Sequence, residues 1–152
     1  RMDRFNRLLK KFDLEEPPFK SSTRFQVLII DDSLNIQNAL KRILIQKNYE
    51  VTLESTGKGG IDALSDETGV VILDVKLPKM DGIHIYIKLK EKNPQVPIIF
   101  YSAYPGDKKI VKKCISLKPH AFIEKGVAKD IDSLYQSIDN ATDIDKCHTK
   151  IN

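Results

Sequence analysis

The chain has no apolar run approaching the ~18 residues that cross a bilayer, and among its 152 residues it has only two cysteines and three histidines. Each shortage excludes a class. Without a long apolar run, no membrane-spanning helix is expected. The N-terminal residues alternate charged and apolar side chains, so a signal peptide is not expected either. Cys114 and Cys147 lie far apart without metal-ligand spacing, which points to two free thiols in a reducing cytoplasm. His84, His120 and His148 are scattered and suggest no metal site. Internal repeats and low-complexity tracts are absent. The net charge of +4 is too thinly spread for direct nucleic-acid binding, which asks for a dense basic patch interleaved with aromatics.

What is present is the content of one ordinary globular domain, 41% hydrophobic and 30% charged. From Phe25 onward, short apolar runs alternate with helical patterns. "FQVLII" (25–30), "EVTLES" (50–55), "GVVILD" (69–74), "VPIIFYSA" (96–103) and "AFIEK" (121–125) read as strands. Between them, Leu34, Ile36, Leu40, Ile43 and Leu44 largely follow helical spacing behind a Ser33 cap. Further helices are predicted around 60–64, over 82–93, over 106–117 and over 128–141. The segment "IHIYIKLK" alternates perfectly and alone would be a strand; the surrounding rhythm favours a helix. Five strands alternating with five helices predict an α/β fold, a parallel sheet wrapped on both sides. In such folds ligands bind beyond the carboxyl ends of the strands.

Residues 1–24 stand outside this rhythm. Phe5, Leu8, Leu9 and Phe12 recur at i, i+3, i+4 and i+7 among Arg4, Arg7, Lys10 and Lys11. This predicts a basic amphipathic helix followed by a linker, with packing on its own domain or a partner favoured over a membrane-surface role. Residues 143–152 are expected to form a C-terminal tail.

The strand tips carry the chemistry. The first strand ends in Asp31-Asp32, the third in Asp74, the fourth in Ser102 and the fifth in Lys125. A parallel sheet brings these tips to one edge. Clustered carboxylates raise one another's pKa unless a cation compensates, and an all-oxygen donor set suits Mg²⁺ or Mn²⁺. A lysine and a hydroxyl beside them suit a phosphoryl group, whose oxygens need positive charge and donors. The residues therefore predict phosphoryl transfer onto an aspartate. Taken singly, each has a duller reading: an aspartate cap, a serine cap, a solvated lysine.

Together "VLIIDDS", "VVILDVKLPKMDG", "PIIFYSA" and "AFIEK" resemble the CheY-like receiver domain of two-component response regulators, over about residues 25–142. The resemblance implies a doubly wound, flavodoxin-like sheet of strand order 2-1-3-4-5. It implies that Asp74 is the phosphoacceptor, charged from a sensor histidine kinase or histidine phosphotransfer protein. Asp32, Asp74 and the backbone carbonyl of Lys76 would hold Mg²⁺, with Asp31 acting mainly through water. Ser102 and the Ala103 N–H would contact the phosphoryl group, Lys125 would pair with it, and Phe122 would be the aromatic switch. Phosphorylation would then repack the face of the fourth helix, fifth strand and fifth helix. By the same resemblance, Lys76 and Tyr104 flank the phosphoryl group, and their bulk predicts slow autodephosphorylation.

Two departures stand out. Gly126 follows Lys125 where the family usually has proline, and the preceding peptide bond is expected to be trans. "KPHAF" replaces the usual glycine-alanine lead into the last strand. Three settings stay open: a stand-alone regulator, the receiver of a hybrid kinase, or the front of a multidomain regulator. The competing functions are a phosphorylation-independent docking module and a haloacid-dehalogenase-like phosphatase. Lys76 argues against the latter, because that chemistry wants an acid two residues after the nucleophile. On this reading the chain is a signalling domain and not an enzyme.

Overall fold

The apolar runs at 25–30, 69–74 and 96–103 each bury both of their faces, and this decides the architecture. The structure, a computed structural model, describes residues 24–77, 79–103, 108–126 and 129–151, with side chains of the last stretch described as far as 142. The amphipathic helix expected before residue 24 lies outside the described residues.

Strand β1 (Gln26–Ile30) leads to α1 (Leu34–Gln46), β2 (Glu50–Glu54) and α2 (Gly57–Ala63). Strand β3 (Thr68–Leu73) is followed by two short strands, β4 (Lys76–Leu77) and β5 (Met80–Asp81), and then α3 (Gly82–Lys92). The chain closes with β6 (Ile98–Ser102), α4 (Lys108–Ser116), β7 (Ala121–Glu124) and α5 (Asp130–Ile151). Five strands form one parallel sheet of order β2-β1-β3-β6-β7, the doubly wound order expected. The antiparallel β4–β5 pair was not foreseen; strands of two residues show no periodicity.

Strand side chains alternate between the two faces of the sheet. Val27, Ile29, Val70, Ile72, Ile99 and Tyr101 pack with Leu40 and Leu44 of α1 and with Leu134 and Ile138 of α5. Leu28, Ile30, Val71, Leu73, Ile98 and Phe100 pack with Ile85, Tyr86 and Leu89 of α3 and Cys114 of α4. Helix α3 forms despite its alternating sequence. Its buried positions are Gly82, Ile85, Tyr86 and Leu89, the three-and-four spacing that one helical face presents. Asp81 caps its start, accepting a hydrogen bond from the Ile83 N–H at 2.9 Å.

The last helix corrects the expected boundaries. It begins at Asp130, not at 128, and continues for 22 residues to Ile151, past the end expected at 141. No glycine or proline follows Gly126 in the sequence, so no breaker stops the helix.

Candidate functional site

Parallel pairing continues one residue past the strands and aims the site residues. The Asp31 N–H donates to the Glu54 carbonyl at 3.0 Å, that of Asp74 to the Ile30 carbonyl at 3.0 Å, and that of Lys125 to the Ser102 carbonyl at 2.8 Å. Each tip residue is thus held in register by its neighbour strand, and the tips converge on one sheet edge. Carboxylate oxygens of Asp31, Asp32 and Asp74 all lie within 4.8 Å of one another. Asp31 and Asp74 are buried, whereas Asp32 is exposed.

The Lys125 ammonium answers two of these carboxylates. Lys125 Nζ donates to Asp31 Oδ2 at 2.6 Å and to Asp74 Oδ2 at 3.4 Å. The other oxygens also have partners: Asp31 Oδ1 accepts from the Ser33 N–H at 2.9 Å, and Asp74 Oδ1 from the Lys76 N–H at 3.3 Å. Burial raises the Asp74 carboxyl above its ordinary value, the nearby Lys125 charge lowers it, and Asp31 raises it again, with a net upward shift. A hard divalent cation suits the cluster, because its donors are all oxygens and Asp32 opens toward water.

Ser102 closes the site on the β6 side. It is 1% exposed, and its Oγ has no hydrogen-bond partner among the described residues. An unpartnered buried hydroxyl costs ~1–3 kcal/mol. Ala103 follows at the exposed rim and Lys76 is exposed beside Asp74. Tyr104 lies outside the described residues. Phe122 is half-buried with its ring centroid 6.0 Å from that of Phe100, which in turn stacks on Tyr86 at 5.3 Å. It sits away from the carboxylates, on the α3–α4 side of the sheet.

The Lys125–Gly126 bond is trans, since no cis peptide occurs among the described residues. Gly126 adopts φ +79°, a conformation closed to proline, and its N–H donates to Asp130 Oδ2 at 2.9 Å. Asp130 Oδ2 also accepts from Tyr101 Oη at 3.0 Å. Neither partner is legible in the sequence, because 29 residues separate Tyr101 from Asp130.

Gln37 is the other residue that sequence reasoning missed. Buried at the start of α1, its Nε2 donates to the Asp31 carbonyl at 2.6 Å, the Glu54 carbonyl at 3.1 Å and Ser55 Oγ at 3.2 Å. It ties the tips of β1 and β2 together beneath the acidic cluster. The signal was a polar residue on the buried face of α1, three positions before Leu40.

Comparison with known proteins gives one family. Residues 27–139 match the response regulator receiver domain. The chemotaxis protein CheY of Treponema pallidum is 32% identical over 107 residues, covering 66% of this chain and 72% of that protein. A cyclic di-GMP phosphodiesterase of Thermotoga maritima is 35% identical over 101 residues, 66% of this chain, but the chain spans only 27% of it. Likewise the chain spans 26% of the C4-dicarboxylate transport regulator DctD of Pseudomonas aeruginosa. Among solved structures, a receiver domain protein from Clostridium thermocellum is 25% identical with a TM-score of 0.70, covering 81% of this chain and 98% of that one. The response regulator TrrA of Thermotoga maritima, solved in complex with Mg²⁺–BeF, is 23% identical with a TM-score of 0.67, covering 77% and 98%.

Proposed function

The chain belongs to the response regulator receiver domain family, and from that premise we propose that it accepts a phosphoryl group on Asp74 from a phosphohistidine. The donor is a sensor histidine kinase or a histidine phosphotransfer protein. The carrying observation is the meeting of three carboxylates, one ammonium and an unpartnered buried hydroxyl at a single sheet edge.

In the transfer, a carboxylate oxygen of Asp74 bonds to phosphorus as the phosphorus–nitrogen bond to the donor imidazole breaks. The electron pair leaves with the imidazole, which keeps or takes up a proton to depart neutral. Lys125 then compensates the charge of the phosphoryl oxygens, and Ser102 and the Ala103 N–H donate to them. The donor set fits Mg²⁺ or Mn²⁺: Asp32, Asp74 and the Lys76 carbonyl would hold it, with Asp31 acting through water. When bound, such a cation would offset the negative charge of the carboxylates and of the phosphoryl group. The Mg²⁺–BeF complex of TrrA supports this choice of ion.

Phosphorylation would draw Ser102 and Lys125 toward Asp74 and bias the packing of Phe122, so the readout is the α4–β7–α5 face. The chain acts as a signalling domain in this reading. The hydrolase activity named for the Thermotoga relative is not carried over, because the chain spans about a quarter of that protein.

Intact mass after incubation with acetyl phosphate and Mg²⁺ tests the reading. One added phosphoryl group is expected, absent in Asp74→Asn and in chelator. A wild-type chain that takes up no phosphoryl group from acetyl phosphate or from a phosphorylated kinase overturns it in favour of a phosphorylation-independent docking module.

A further inference from the structure

Lys125 must keep its ammonium at the site from a turn that lacks the family's proline. The residues around that turn form a connected set. Asp130, the first residue of α5, accepts through one oxygen from both the Gly126 N–H at 2.9 Å and Tyr101 Oη at 3.0 Å. The Tyr101 ring, buried on the face that packs against α1 and α5, lies with its centroid 5.5 Å from Lys125 Nζ, within cation–π range. The Lys125 N–H, in turn, donates to the Ser102 carbonyl at 2.8 Å. The lysine is therefore fixed from three sides: its backbone by β6, the following glycine by Asp130, and its ammonium by a ring that Asp130 also holds.

The geometry points to Asp130 and Tyr101 as positioning residues for Lys125, a latch joining the start of α5 to the ammonium of the acidic site. Only a residue with a free N–H and access to positive φ can supply the Gly126 contact, so the glycine belongs to the latch. Its energetic logic is pre-organisation: a lysine held in place loses less freedom when a phosphoryl group arrives. Because Asp130 opens α5, the same bonds join the placement of Lys125 to the root of that helix.

This inference rests on the phosphoacceptor reading for its rate measurement but not for its metal measurement. Tyr101→Phe removes one oxygen and keeps the ring; Asp130→Asn keeps the volume and removes the charge. Phosphoryl uptake from acetyl phosphate at saturating Mg²⁺ is expected to slow by about threefold to tenfold in each, the scale of one ordinary hydrogen bond lost or weakened. Mg²⁺ affinity without donor, read by calorimetry, is expected to rise about twofold to fourfold, because a loosened ammonium compensates Asp31 and Asp74 less well. Both effects are expected to vanish in a Lys125→Met background. Effects of equal size in both backgrounds overturn the latch, since the residues would then act on the fold at large. So does the absence of any effect in the Lys125 chain. A wild-type chain that takes up no phosphoryl group overturns the acceptor reading instead, and the Mg²⁺ arm then decides the latch alone.

Discussion

The Lys125 ammonium lies closer to Asp31, at 2.6 Å, than to Asp74, at 3.4 Å. This ammonium is thus bonded most tightly to the carboxylate beside the proposed acceptor, and Asp74 keeps the weaker share. Like charges held together in a buried edge oppose folding.

Removing one of those charges is expected to stabilise the protein. Asp74→Asn should melt about 2–4 °C higher than wild type in chelator, the shift that ~1 kcal/mol produces in a chain of this size. Mg²⁺ at a hundredfold excess over its dissociation constant should raise the wild-type melting temperature by about 5–10 °C, from ~2.7 kcal/mol of linkage. That rise should largely disappear in Asp74→Asn. Thermal melts with and without Mg²⁺ measure both, and a lower melting temperature for Asp74→Asn in chelator counts against the charge argument.

Alkaline stability should depend on Tyr49. Burial, followed by the hydrogen bond to Asp139, pushes its hydroxyl from 10.0 to about 12. A raised folded-state pKa means stability that is whole below the unfolded value and fades as the pH climbs through the folded one. The stability gap between wild type and Tyr49→Phe is therefore expected to stay level up to about pH 10 and to close by about pH 12. Denaturant melts at a series of pH values will show it, and a gap unchanged at pH 12 removes the Tyr49–Asp139 bond from the account.

Gly82→Ala should be among the most damaging single substitutions. A Cβ at Gly82 would lie 2.5 Å from the Val75 carbonyl oxygen and 2.6 Å from its Cα. These are backbone atoms in the loop that follows Asp74, and they cannot step aside as a side chain can. Overpacking of this kind costs ~1–3 kcal/mol or more. The expected signature is a lower denaturation midpoint with an unchanged m-value.

If Lys76 and Tyr104 shield the phosphoryl group, truncating both to alanine should speed phosphate release by about tenfold, as an opened path lets water line up behind phosphorus. Single-turnover decay of the phosphorylated chain reads the rate, and an unchanged rate leaves the two side chains without this role.

Most of the architecture was legible because each level agreed. Greasy runs too short for helices, cut by caps and helical spacing, could only be a wrapped parallel sheet, and the tips at Asp31, Asp74, Ser102 and Lys125 followed. Besides Gln37, three things escaped. The β4–β5 pair is too short to show a period. Helix α5 outruns its expected end because nothing in "TDIDKCHTKI" breaks a helix. The Tyr101–Asp130–Gly126 set joins residues whose partnership exists only after folding, and a tyrosine inside a buried strand reads as packing until its hydroxyl is located.

Ser102 turns this geometry into a matter of equilibrium constants. A hydroxyl buried without a partner among the described residues raises the free energy of the resting conformation by ~1–3 kcal/mol. Any oxyanion brought within its reach relieves that cost, and at ~1.4 kcal/mol per decade this is about five- to 150-fold in the preference for the occupied conformation. On the phosphoacceptor reading, the resting domain would thus be biased, before any donor arrives, toward the state that a phosphoryl group on Asp74 would complete.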